Sequence, residues 1–170
     1  MTEKQILLQE LEEEFTKAKK KYAIQTTVEE LQSLFLVKDQ IMYERFVSET
    51  VLNQIRRRVG RFIFDFGGYL HGILVPNPQS LAQISESNFF SDEEKKKIMY
   101  FYTRIVKKSA KTLAIGFMPN QQKEAKMIDE LVLFWKEIIP EVKVVAEKIE
   151  LCWEQEEKKE KEQKKEVQNG

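Results

Sequence analysis

An all-α fold, a helical bundle of four to five helices with a glycine-rich central helix, is what this sequence predicts, and three observations carry the prediction. Glycine and proline number only six and four in 170 residues, too few for the many tight turns of an all-β chain. Hydrophobic residues (42%) alternate with charged ones (33%) at spacings of three and four along most of the chain. Helix-start sequences, Thr27-Val28-Glu29-Glu30 and Ser91-Asp92-Glu93-Glu94, stand immediately before two such periodic runs.

The first helix is expected from about Thr2 to Ala23, with Leu8, Leu11, Phe15, Ala18 and Tyr22 as one apolar stripe. A second opens at Thr27 with Leu31, Leu34 and Phe35 inward, and a bend is expected near Lys38 and Asp39. The stretch GRFIFDFGGYLHGILVPNP, residues 60–78, admits three readings: a hairpin turning at Gly67-Gly68, a membrane-seeking segment, or a buried helix. Leu52, Ile55, Val59, Phe62, Phe66, Tyr69 and Ile73 keep alternating spacings of three and four straight through the proposed turn, and a hairpin has no reason to hold that phase. The apolar run is too short to span a bilayer and contains Asp65 and His71. The helix reading is preferred, although each glycine costs about 1 kcal/mol relative to alanine. Close packing against another helix at Gly60, Gly67, Gly68 and Gly72 is the expected compensation.

Pro76 and Pro78 end this helix. A short helix follows over Ser80–Ser87, then a long one from Ser91 to about Ile115, with Ile98, Phe101, Tyr102, Ile105 and Leu113 inward and Gly116 at its end. Asn120 caps the last long element. Its stripe of Ile128, Leu131, Trp135, Ile138, Val142, Val145, Ile149 and Cys152 keeps phase across Pro140, so a kinked helix within the same domain is expected. Residues 1–154 are read as a single helical-bundle domain and residues 155–170, which lack an apolar stripe, as a charged flexible tail.

The formal net charge is zero but unevenly distributed. Residues 1–50 carry 7 basic and 10 acidic side chains, residues 51–120 carry 11 and 5, and residues 121–170 carry 10 and 13. A basic centre therefore lies between two acidic arms. Arg57, Arg58, Arg61, Arg104, Lys108 and Lys111, with Arg56, Lys97 and Lys107, form a nucleic-acid-binding footprint if the two central helices are neighbours. The competing expectation, and the preferred one, is that the acidic first and last helices lie against these cations.

One histidine and one cysteine are too few for the common zinc ligand sets or for a paired Glu-x-x-His di-iron site. Phosphate-binding glycine loops and nucleophile elbows are absent from the sequence. His71 reads as a histidine satisfied at a helix contact, and Asp65 as the partner of Arg61 one turn before it. Glu10, Glu12, Glu13 and Glu14 mostly oppose the apolar stripe and read as solvated, not as magnesium ligands. No catalytic residue, metal or cofactor is therefore expected. The expected role is a non-enzymatic helical interaction or adaptor protein that presents helix faces to a protein partner or to itself, as a homo-oligomer. The alternative is a nucleic-acid-binding helical protein. With no signal peptide or membrane segment in the reading and a lone thiol at Cys152, the expected location is cytoplasmic.

Overall fold

The computed structural model describes residues 2–168, and among them the chain is all-helical, with seven helices and no strand. They are α1 Glu3–Tyr22, α2 Val28–Phe35, α3 Val37–Glu44, α4 Val51–Leu74, α5 Leu81–Asn88, α6 Asp92–Phe117 and α7 Gln121–Gln168. The count of four to five is corrected to seven. One extra break falls at Leu36, which takes the left-handed conformation (φ 54°) and closes α2 while α3 begins at the next residue. Gln32 holds that corner: its side chain accepts from the Lys38 backbone N–H and donates to Asp39. The bend therefore comes two residues earlier than the sequence suggested.

Local chemistry explains the starts. Thr2 with Gln5, Thr27 with Glu30, and Ser91 with Glu94 form reciprocal capping boxes, each satisfying two backbone donors that a helix start leaves free. Asn120 Oδ1 accepts from the Lys123 backbone N–H at the start of α7. α6 runs through Gly116 to Phe117, two residues before Pro119, so Gly116 does not terminate it. α7 passes through Pro140 as one helix. Of the residues expected as a flexible tail, 155–168 continue α7 and 169–170 lie outside the described residues.

α4 is helical throughout residues 51–74, which removes the hairpin, and it packs against every other helix. Its most extensive partner is α6. A Cβ added to Gly60 would sit 2.8 Å from Thr112 Cγ2, and one added to Gly67 would sit 2.7 Å from Ile105 Cγ2. These two contacts fix an antiparallel register in which α4 position 60 meets 112 and position 67 meets 105. Gly68 and Gly72 differ. Nothing lies within 4 Å of a Cβ on Gly68, and Gly72 meets only the flexible Gln83 side chain at 3.3 Å. Gly68 is thus not a close-packing residue.

α7 covers the opposite side of the pair. Trp135 packs edge-on against Phe62 and Phe66, with ring centroids 5.3 and 5.6 Å away, and lies tilted against Phe35 of α2 at 6.2 Å. One core cluster runs from Leu11 of α1 to Ile149 of α7. Burial of each such side chain stabilises the fold by about 1.5–3 kcal/mol relative to leaving it in water.

The α6 N-terminus is also tied to α7. Glu94 accepts from Lys148, from the Ser91 backbone N–H and from the Ser91 hydroxyl, in that order of effect on its pKa, which falls to about 2. A depressed carboxylate contributes stability that is present above its unfolded pKa and is lost as pH falls through the folded value.

Two predictions follow from this packing. Gly67→Ala should destabilise by about 1–3 kcal/mol through overpacking, and Gly68→Ala should stabilise by up to about 1 kcal/mol, both read by urea denaturation. In the same assay, wild type should exceed Glu94→Gln by a constant margin above about pH 5. That margin should shrink as pH falls from about 4.5 toward 2.

Candidate functional site

The basic residues of the centre do not share one surface. Arg104, Lys108 and Lys111 of α6 face α7: Arg104 pairs with Glu137 at 2.8 Å, while Lys108 and Lys111 converge on Glu130 at 3.5 and 2.7 Å. Arg104 and Lys108 also lie over the Phe134 ring. The Glu130 carboxyl sits below its ordinary range, first through the Lys111 hydrogen bond. Arg58 turns toward α2 and donates from Nε to the Phe35 carbonyl at 3.0 Å. Arg57 and Arg61 project from the side of α4 away from α7 and are exposed. Arg61 lies 3.8 Å from Asp65, both well exposed, a pair worth little in water. Lys97 and Lys107 are exposed as well.

Arg56 was grouped with these cations by its sequence position, yet it is 3% exposed. It donates from Nη1 to the Thr112 carbonyl at 3.0 Å, and burial lowers its pKa while Glu124 opposes that shift. Glu124, at the start of α7 and 1% exposed, accepts from Asn53 at 2.9 Å. Arg56 Nε and Glu124 Oε2 have no hydrogen-bond partner. Arg56 ties α4 to α6 through Thr112, and Glu124 ties α7 to α4 through Asn53, at one end of the bundle. No periodicity or motif distinguished Glu124 from the other glutamates.

The second notable feature is on the outer side of the α4–α6 pair. Leu113, expected inward, is 62% exposed, because the seven-residue repeat Ile98–Ile105 continues to Thr112, whose methyl group fits against Gly60. Leu113 belongs instead to a second stripe on α6: Met99, Thr103, Val106, Ala110, Leu113 and Phe117, spaced four, three, four, three and four apart and all exposed. The adjoining outer side of α4 carries Arg57, Phe64, Gly68 and His71, also exposed. The antiparallel register places Phe64 level with Val106 and Ala110, and Arg57 level with Leu113 and Phe117. His71 stacks at a tilt on Tyr102, centroids 5.4 Å apart. These residues make one apolar face with arginine at its edge.

Two hollows have different character. An apolar space of about 10 Å³, enough for one water at most, lies between α4, α6 and α7 beside Phe66, Ile98 and Ile138. An open cleft of about 460 Å³ lies beside Tyr22, Asn120, Lys123, Lys126 and Asp129. Among the described residues no group of three or more His, Cys, Asp or Glu side chains is placed to hold a metal ion. No helix is long and apolar enough to cross a membrane among them. No protein-family model, curated protein or solved structure matches the chain.

Arg56 and Glu124 each hold a buried charged hydrogen bond between helices, Arg56 to Thr112 and Glu124 to Asn53. Arg56→Leu and Glu124→Leu should each destabilise by about 1–3 kcal/mol, because each leaves the buried partner of that bond unsatisfied. The double variant should cost less than the two singles together, and a double-mutant cycle in urea measures the difference.

Proposed function

We propose that this chain is a non-enzymatic helical interaction protein that presents the outer face of α6, flanked by α4, to a protein partner. The observation that carries the reading is the second stripe from Met99 to Phe117. Large apolar side chains scattered singly over a surface need no explanation, but six positions in continuous 3–4 register are a seam of the kind helices use to pair. Among the described residues the stripe has no partner: α7 occupies the other side of α6, where Arg104, Lys108 and Lys111 lie.

The distribution of cations supports this reading over nucleic-acid binding. Three of the six proposed phosphate-binding residues already face carboxylates of α7, and Arg58 is engaged with a backbone carbonyl. The remaining arginines border an apolar surface, which a phosphate backbone does not match.

Affinity purification with nuclease treatment tests the assignment. Val106→Glu and Leu113→Glu, both at exposed positions, should leave the thermal melt within a few degrees of wild type and abolish nuclease-resistant protein recovery. If the chain instead binds RNA or DNA with an affinity falling at about −0.7 to −0.9 log units per phosphate contacted, and Arg57→Ala with Arg61→Ala lowers that slope, the nucleic-acid reading replaces this one.

A further inference from the structure

We infer that the occupant of the α4–α6 outer face is an acidic amphipathic helix supplied by a different protein, docked along α6 over about 27 Å from Met99 to Phe117. This rests on the reading of the chain as an interaction protein and adds the chemistry of its partner. The shape argument comes from the backbone. All of α4 and α6 is helical, so the face offers no sheet edge for an added strand. It offers a 3.5-residue seam with Phe64 standing beside it, which fits the apolar side chains of a helix repeating at three and four.

Charge complementarity chooses the partner. Arg57 and Arg61 border the seam on the α4 side, and Lys107 borders it on the far side of α6. Among the described residues neither Arg57 nor Lys107 has a carboxylate within 4 Å, and Arg61 has only the exposed Asp65 at 3.8 Å. These positions flank the seam as e and g residues flank a coiled-coil core, where charge selects the partner. A helix with glutamate or aspartate beside its apolar stripe meets cations on both sides. A second copy docking by the same face through a two-fold axis would bring arginine and lysine against their own duplicates, and like charges across an interface oppose association.

A displayed library of 20-residue helices tests this, with leucine or isoleucine fixed at 3–4 spacing and the flanking positions randomised between glutamate and lysine. Selection on the full-length protein should enrich glutamate at the flanking positions. A selected peptide, labelled for fluorescence anisotropy, should bind at least ten-fold more tightly than its lysine counterpart and weaken with added salt. Leu113→Glu should lose at least ten-fold in affinity, and Arg57→Glu with Lys107→Glu should invert the charge preference. Circular dichroism should show all variants folded. Enrichment of lysine, no charge preference or no enrichment would overturn the inference. So would a concentration-dependent dimer, seen by sedimentation and dispersed by Leu113→Glu. If the acidic peptides fail while Leu113→Glu still removes nuclease-resistant protein partners, the partner class is wrong and the interaction role stands. If both fail, so does the interaction role.

Discussion

The approach of α4 to α6 at two glycines seven residues apart is the constraint on which the other contacts depend. Gly60 and Gly67 lie on one face of α4, and Thr112 and Ile105 lie on the matching face of α6. With no side chain on the α4 positions, the methyl groups of Thr112 and Ile105 descend to the helix backbone. That closeness brings the Arg56 guanidinium to the Thr112 carbonyl and orders one end of the bundle. On the opposite side of the pair from the outer face, Trp135 of α7 sets edge-on against Phe62 and Phe66. The glycines cost helix propensity, and tertiary packing of the pair offsets it.

Charge then assigns the two sides of α6 different roles. The acidic C-terminal arm supplies Glu130 and Glu137 to the cations on one side, and the acidic N-terminal arm reaches Lys136 of α7 through Glu30. The basic excess of residues 51–120 is therefore partly neutralised within the fold. Among the described residues, Arg57 and Lys107, at the borders of the outer seam, are exposed cations with no carboxylate within 4 Å. A zero net charge for the whole chain is compatible with a locally basic face because the acidic side chains are concentrated in the first and last segments.

Much of the fold could be read from the sequence because its signals are local. Thr27-Glu30 and Ser91-Glu94 cap where they were expected to, and the 3–4 periodicity of residues 52–73 identified a helix despite a Gly-Gly pair. The misses each trace to a tertiary fact. Leu36 breaks the chain in a left-handed conformation with no glycine to announce it. Leu113 is more hydrophobic than Thr112, so periodicity alone assigned the leucine inward; only the glycine opposite makes threonine the better fit. Arg56 sits in a run of three arginines, and which one is buried depends on where α6 and α7 lie around α4. The candidate face was illegible for the same reason: its apolar stripe exists only because a parallel stripe on the same helix is already taken.

Asp129 shows what such an arrangement implies for the order of folding. Its carboxylate accepts from the backbone N–H groups of Gln25 and Thr26 and from the Thr26 hydroxyl, joining residues 103 and 104 positions apart. Most contacts in a helical bundle are local and form quickly, whereas this one spans 104 positions of a 170-residue chain. Residues 25–26 connect α1 to α2, so the N-terminal helices are held to the body by a strap that cannot form until α7 is in place. A contact of such sequence separation is expected to form on the late side of the folding barrier, where weakening it speeds unfolding more than it slows folding.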